Sequence, residues 1–244
     1  MLKENLTISA LVGEGEELQK FADRLRGELI TPADGGYDKA RSLYNAMIDK
    51  RPAAIVRCEN VADVIAAVNF ARQNNLDLAI HGGGHNGAGL GMVDGGLVID
   101  LSLMNGIRVD PQARTVRVQG GCTWAEVDRA THAFGLAVPS GIISTTGVGG
   151  LTLGGGHGYL ARKYGLTIDN LLEVDMVLAD GCVITWCYTG PLDKAEEVFR
   201  PIRELGTPNM AAPCRLKYRP CISIPSMEPF TTSVRMKRPL TTGM

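Results

Sequence analysis

Two glycine-dense segments, each carrying a histidine, hold the residues of this chain best suited to chemistry. The first is His81-Gly82-Gly83-Gly84-His85-Asn86-Gly87. The second runs from Ser144-Thr145-Thr146-Gly147-Val148-Gly149-Gly150 through Leu151-Thr152-Leu153 to Gly154-Gly155-Gly156-His157-Gly158. Glycine costs backbone entropy, so such density marks places where the chain needs positive φ or where a ligand approaches the backbone closely. Successive N–H groups in such loops form concavities suited to phosphates. A long phosphate-bearing cofactor lying across both loops is the economical reading. The Ser144, Thr145 and Thr146 hydroxyls are either ordinary turn groups or extra donors to a pyrophosphate. Gly154 to Gly156 either bind or merely let a helix pack closely, and His157 either lines a cofactor or faces solvent.

Other chemistries fit these residues less well. Gly82-x-Gly84-x-x-Gly87 matches the dinucleotide fingerprint and follows an apolar segment, but that fingerprint needs a helix opening at the loop. Ala88-Gly89-Leu90-Gly91 and Asp94-Gly95-Gly96 are helix-poor. His81-Gly82-Gly83-Gly84 looks like the oxyanion loop of esterases, yet the chain has no G-x-S-x-G nucleophile elbow. His81 and His85 have the spacing of two zinc ligands on a helix, but three glycines between them make that helix improbable and no third ligand presents itself.

The elements that must position these loops are readable from periodicity. Ala53 to Val56 predicts a short apolar strand. Asn60 caps a helix whose Val61, Val64, Ile65 and Val68 follow helical spacing, with Asp63 in the first turn. Leu76 to Ile80 predicts a strand running into the first glycine loop, and this β-α-β unit favours parallel pairing of its two strands. Leu97 to Leu101 reads as another strand. Ile107 to Val109 and Thr115 to Val118 read as a hairpin through Asp110-Pro111 and Ala113-Arg114. Thr123-Trp124-Ala125-Glu126 has capping-box form and opens a helix expected to bury Trp124, Val127, Ala130 and Phe134. Leu172 to Leu178 and Cys182 to Trp186 predict a hairpin turning at Asp180-Gly181. The order is neither simple alternation nor all-β, so the fold class is α+β.

The ends differ from this middle. The first forty-odd residues read as helical and polar. Leu192, Ala195, Phe199 and Ile202 form one helical stripe that Pro201 should kink or end. From Thr207 onward the chain holds six of its twelve prolines without sustained periodicity, which predicts an irregular or poorly ordered tail.

Composition limits the partners. With 25 basic and 26 acidic residues, the net charge of −1 gives no electrostatic case for nucleic acid. No apolar run approaches the ~20 residues needed to span a bilayer, so no membrane association is expected. The N-terminus lacks a basic-then-apolar signal sequence. Six cysteines without CxxC spacing argue against a disulfide framework or a zinc site, and a reduced, cytoplasmic setting is the expectation.

The ordered set of motifs resembles the flavin-linked oxidases of the berberine bridge enzyme type, whose FAD-binding domain is shared with p-cresol methylhydroxylase and vanillyl-alcohol oxidase. The resemblance runs from about Asp38 to Ile184. It rests on Tyr44 to Pro52, Gly82-Gly83-Gly84-His85, Gly120-Gly121-Cys122-Thr123-Trp124 and Gly135 to Gly141. Ser144 to Gly158, Arg162-Lys163-Tyr164-Gly165-Leu166 and Asp169-Asn170 complete it. It implies a domain of two α/β subdomains that holds FAD through both glycine loops, with Val183 near the end of the cofactor site. It also implies a covalent bond from His85 to the flavin 8α carbon. Ile143 stands where some members carry a cysteine, so a single histidyl link is the implied arrangement. The implied function is an FAD-dependent oxidoreductase of the oxidase type. It passes hydride from an alcohol, sugar or related small molecule to the flavin, and dioxygen reoxidises it.

The resemblance also has a limit. Family members continue from the Asp180-Gly181 hairpin into a G-G-G-N-F-G segment that this sequence lacks, and Tyr188 to Gly206 looks like part of the family's substrate domain. The expected organisation is an N-terminal helical segment (1–47), an FAD-binding domain (48–187), a truncated remnant of the substrate domain (188–206) and an irregular tail (207–244). No catalytic base can be named from the sequence. A non-catalytic FAD-domain fragment, or a nucleotide-binding domain without redox chemistry, remain the alternative readings.

Overall fold

The computed structural model of the chain describes residues 15–187, 211–218 and 222–223. The predicted stripe of Leu192, Ala195, Phe199 and Ile202, and the whole 188–206 segment, lie outside the described residues.

The first sheet is built around its most apolar strand. It contains β1 (Glu28–Ile30), β2 (Ala54–Arg57), β3 (Leu78–His81) and β4 (Leu97–Asp100), in the order β1-β2-β4-β3. Strands β2 and β3 each pair parallel with β4, and β1 pairs antiparallel with β2. The expected β-α-β unit is therefore present, but its two strands are not neighbours. Leu97, Val98 and Ile99 are all fully buried, so the later strand takes the central position, where both faces are covered.

Alternation along these strands feeds two cores. Ala54, Val56, Leu97 and Ile99 face α3 (Val61–Gln73), while Ile55, Ala79 and Val98 pack with Tyr37, Ala40 and Met92 on the opposite face. As predicted, Asn60 caps α3, its side chain accepting from the Asp63 N–H at 3.1 Å. Asp63 does more than sit in the first turn. Its buried carboxylate accepts from the N–H groups of Arg26 (2.9 Å), Gly27 (3.1 Å) and Glu59 (2.9 Å), fixing the entry to β1.

The N-terminal stretch read as helical has shorter helices, α1 (Gly15–Ala22) and α2 (Tyr37–Ala40), and strand β1 between them. Its helical reading rested on the polar run around Glu16. The Leu29-Ile30 pair is too short to show a strand period, yet Ile30 is buried and pairs with Ile55.

The second sheet is antiparallel. Strands β5 (Ile107–Asp110) and β6 (Thr115–Gln119) form one predicted hairpin, and β8 (Leu171–Leu178) with β9 (Val183–Cys187) form the other. Between β6 and β8 lies β10 (Ala211–Tyr218), which pairs with both. A two-stranded pair, β7 (Leu136–Ala137) with β11 (Ile222–Ser223), lies apart. The expectation of an irregular tail from residue 207 is thus overturned for β10 and β11. Cys214, Leu216 and Tyr218 are buried at every second position, a strand period that flanking prolines conceal in the sequence. Pro213 stands at a register shift, where a missing N–H is tolerated.

Val116, Val118, Trp124, Val127, Val174, Leu216 and Tyr218 pack in the core beside this sheet. Helix α4 (Trp124–His132) opens with the predicted capping box, Thr123 with Glu126. It ends before Phe134, which is 52% exposed rather than buried, because the chain leaves the helical phase after His132.

Candidate functional site

The first glycine loop leaves the carboxyl end of β3, the usual position for ligand sites in parallel sheets. The second begins after β7 and contains α5 (Val148–Leu153), followed by α6 (Ala161–Tyr164). The two loops meet backbone to backbone. A Cβ on Gly83 would fall 2.6 Å from the Gly147 Cα, and one on Gly147 would fall 2.9 Å from the Gly83 Cα. Real Cβ atoms do not make such contacts, so glycine at both positions is a condition of this approach. The turn between β6 and α4 braces the second loop: Val148 N–H donates to Cys122 O (2.9 Å), and Trp124 N–H donates to Thr146 O (3.0 Å). Gly84 adopts φ +69°, a conformation that suits glycine and turns the chain toward His85.

His85 is held from two sides. Its Nε2 lies 2.9 Å from Thr145 Oγ1 of the second loop. Its ring stacks on Tyr44, with centroids 4.0 Å apart and planes 19° from parallel. Tyr44 is itself anchored, since its N–H donates to Gly84 O at 3.2 Å. Asn45 donates to Gly87 O at 3.0 Å, tying the end of the same loop. Partial burial pushes the His85 pKa below its ordinary value, which favours the neutral imidazole.

A charged cluster supports the start of the first loop. Asp100, 3% exposed at the end of β4, accepts from Arg57 Nε (3.3 Å) and from the Ser102 N–H (2.9 Å), and lies 3.4 Å from His81 Nδ1. Burial by itself raises the Asp100 pKa. The hydrogen bond and charge of His81, with the Ser102 donor, outweigh it and hold the carboxyl below its ordinary value.

The residues singled out from sequence fall into three groups. Gly82 to Gly87, Ser144 to Gly147 and the start of α5 at Gly149 and Gly150 come together. The N–H groups of Gly83 through Gly87 donate to no described residue, as do those of Ser144 and Thr145. That leaves an uncommitted run of donors of the kind a diphosphate needs. Gly154 caps the end of α5, and Gly155 lies buried against Leu166, so these two serve the turn that follows α5. His157 is exposed. Val183 begins edge strand β9, opposite Val177, and is 49% exposed. It stands at the same sheet end as Gly120 but three strands across, roughly 14 Å at the usual strand spacing.

A cleft of about 550 Å³ opens beside the second loop, between α4 and the 136–144 segment. Its walls include Leu136, Val138, Ile142 and Tyr159, and Ser144 stands at one side. Ile142 and Tyr159 are exposed at 62% and 86%, and Asp128, Arg129 and His132 of α4 line the same cleft, so its wall is mixed rather than purely apolar.

Sequence reasoning missed Tyr44 as a site residue, although it belongs to the Tyr44 to Pro52 motif. An aromatic residue far from any periodic element was the available signal. The Thr145 hydroxyl, considered as a pyrophosphate donor, lies within hydrogen-bond reach of His85.

Two contacting glycine loops at the end of a parallel sheet, with uncommitted donors and an anchored neutral histidine, define a dinucleotide-cofactor domain. Residues 52–186 match the model of the FAD binding domain family, and the chain belongs to that family. It is 38% identical over 182 residues to (R)-6-hydroxynicotine oxidase of Paenarthrobacter nicotinovorans, covering 75% of this chain and 39% of that protein. The berberine bridge enzyme-like 1 protein of Physcomitrella patens (variant D396N) superposes with a TM-score of 0.74 at 30% identity, covering 83% of this chain and 44% of that one. Glucooligosaccharide oxidase from Acremonium strictum, described with a 6-S-cysteinyl, 8α-N1-histidyl FAD, gives 0.69 at 25% identity and covers 88% and 42%. The chain spans about two fifths of the length of these relatives. Among the described residues, no helix is long and apolar enough to cross a membrane.

Proposed function

We propose that this chain is the cofactor-holding part of an FAD-dependent oxidase acting on a small molecule such as an alcohol, a sugar or an amine, with dioxygen as electron acceptor and the flavin attached through its 8α carbon to His85. The observation that carries this reading is the Gly83–Gly147 approach, which presents free N–H groups of both loops beside a stacked, neutral histidine. When bound, FAD supplies the hydride acceptor, a capacity no protein side chain has. The chain's own residues bind and orient it. Gly82 to Gly87 with Ser144, Thr145, Gly147, Gly149 and Gly150 offer N–H donors to the diphosphate, the Thr146 hydroxyl offers another, and His85 offers a ring nitrogen to the dimethylbenzene edge. Val183, far across the sheet, would meet only the end of an extended cofactor. Ile143 offers no sulfur for a second link.

The purified chain should be yellow, and acid precipitation should leave the colour in the pellet. His85→Ala should release flavin into the supernatant. A colourless chain that takes up no added FAD would defeat the reading. Anaerobic bleaching by a panel of alcohols, sugars and amines tests the oxidase part separately: retained flavin that no donor reduces would leave only the cofactor-binding part standing.

A further inference from the structure

His85 is gripped at two points that phosphate binding does not require: the face of its ring and one of its two nitrogens. Tyr44 covers the face at 4.0 Å, and Thr145 Oγ1 meets Nε2 at 2.9 Å. Nδ1 has no hydrogen-bond partner among the described residues. A neutral imidazole carries one proton on either nitrogen, and the partner of one nitrogen decides which. A hydroxyl can both accept and donate.

We propose that Tyr44 and Thr145 are positioning residues for flavin attachment: the Tyr44 ring fixes the plane of His85, and Thr145 Oγ1 holds Nε2 so that Nδ1 is the atom presented for bond formation. This rests on the FAD reading given above. Before the bond forms, Thr145 accepts from Nε2–H and leaves the lone pair on Nδ1. In the step itself an Nδ1–C8α bond forms, one C8α–H bond breaks, and the Nε2 proton leaves. The two electrons and a matching pair of protons remain on the isoalloxazine, which is thereby reduced. Dioxygen then reoxidises it, taking the two electrons and two protons to hydrogen peroxide. Afterwards Nε2 has a lone pair, and the same Thr145 hydroxyl turns to donate to it. Only a hydroxyl serves both states, which separates threonine and serine from valine.

The experiment uses the full chain, made in flavin-depleted form and mixed with FAD in air. Flavin bound after gel filtration is compared, over time, with flavin that survives acid precipitation. Thr145→Val should still bind FAD but attach it at least about tenfold more slowly, since attachment needs the reacting atoms pre-aligned. Thr145→Ser should return the rate to within about threefold of the unaltered chain because it restores the hydroxyl. Tyr44→Phe keeps the stacking face and should attach FAD normally, whereas Tyr44→Ala should be slow while still binding it. Attachment by Thr145→Val at the unaltered rate, or failure of Thr145→Ser to recover it, overturns the positioning role and leaves the FAD reading intact. If the unaltered chain binds no FAD, the underlying reading fails with it. If it binds FAD but never attaches it, the covalent link and this inference fall together.

Discussion

The two sheets of this molecule are assembled in opposite ways. The first draws all four strands from residues 28–100, with its central strand β4 bringing Leu97, Val98 and Ile99 to two buried faces. The second takes its central strand, β10, from residues 211–218, beyond the hairpin that would otherwise end it. Without β10 the hairpins β5-β6 and β8-β9 would share no ladder, and each would expose an unpaired edge. Tyr218 tightens the arrangement: its hydroxyl lies 2.7 Å from Thr152 Oγ1 in α5, and its ring tilts against Trp124 at 5.7 Å. A distant segment of the chain thus supports the helix of the second glycine loop. The first loop rests on residues of the first sheet's own half, Tyr44, Asn45 and Asp100, and on the second loop, whereas the helix of the second loop rests on the far end of the chain.

The most severe break in this comparison is Leu216→Asp. Leu216 is fully buried in the core beside the second sheet, and an unpaired carboxylate there should cost more than about 4 kcal/mol. The urea midpoint followed by tryptophan fluorescence should collapse. A midpoint like that of the unaltered chain would mean that β10 does not hold the sheet together. Gly83→Ala tests the junction between the two halves. The new methyl meets the Gly147 backbone, which has no flexible end to move aside, so about 3 kcal/mol should be lost. FAD affinity should fall by at least about tenfold, equivalent to about 1.4 kcal/mol. Full FAD affinity in this variant would show that the loops need not touch.

Asp100→Asn probes the support beneath the first loop, with a smaller effect of about 1–2 kcal/mol at neutral pH. The carboxyl is held below its ordinary value of 3.8, so the folded chain binds this proton less readily than the unfolded chain. Its contribution is therefore complete above that value and is lost as pH falls through the lowered one. The deficit of the variant should be constant from pH 7 to about 5 and should shrink below 3.8. Chemical denaturation across that range gives the answer. A deficit that widens in acid would refute the role of His81, Arg57 and Ser102 as partners of an ionised carboxylate.

What the sequence made legible was local. The Asn60 cap, the Thr123–Glu126 capping box and the Asp180-Gly181 hairpin each need only a few adjacent residues, and each is present. The glycine loops were legible as a pair because their composition is unusual. Their contact through Gly83 and Gly147 was not, because it depends on how two sheets pack. The insertion of β4 between β2 and β3 was hidden for the same reason: burial on both faces is a property of the assembled sheet. In β10, Cys214, Leu216 and Tyr218 alternate as a strand should, but Pro208, Pro213 and Pro220 interrupt the window in which a period could be recognised. The Tyr44–His85 stack joins residues 41 positions apart with no repeating pattern to announce it.

The smallest effect belongs to Phe134, which sequence spacing assigned to the buried stripe of α4. Helical phase carries Trp124, Val127 and Thr131 inward, and all three are fully buried. The helix stops at His132, and Gly135 then turns the chain with φ +66° into β7, so Phe134 never reaches the core side. Phe134→Ser should therefore change stability by less than about 0.5 kcal/mol, as surface substitutions do. Val127→Ala, three residues earlier than Ala130 on the same helix, should cost about 2 kcal/mol because it empties a closed site. Measured side by side in urea, the two variants separate helical phase from mere apolarity: equal losses would mean that Phe134 is buried after all and that α4 runs on past His132.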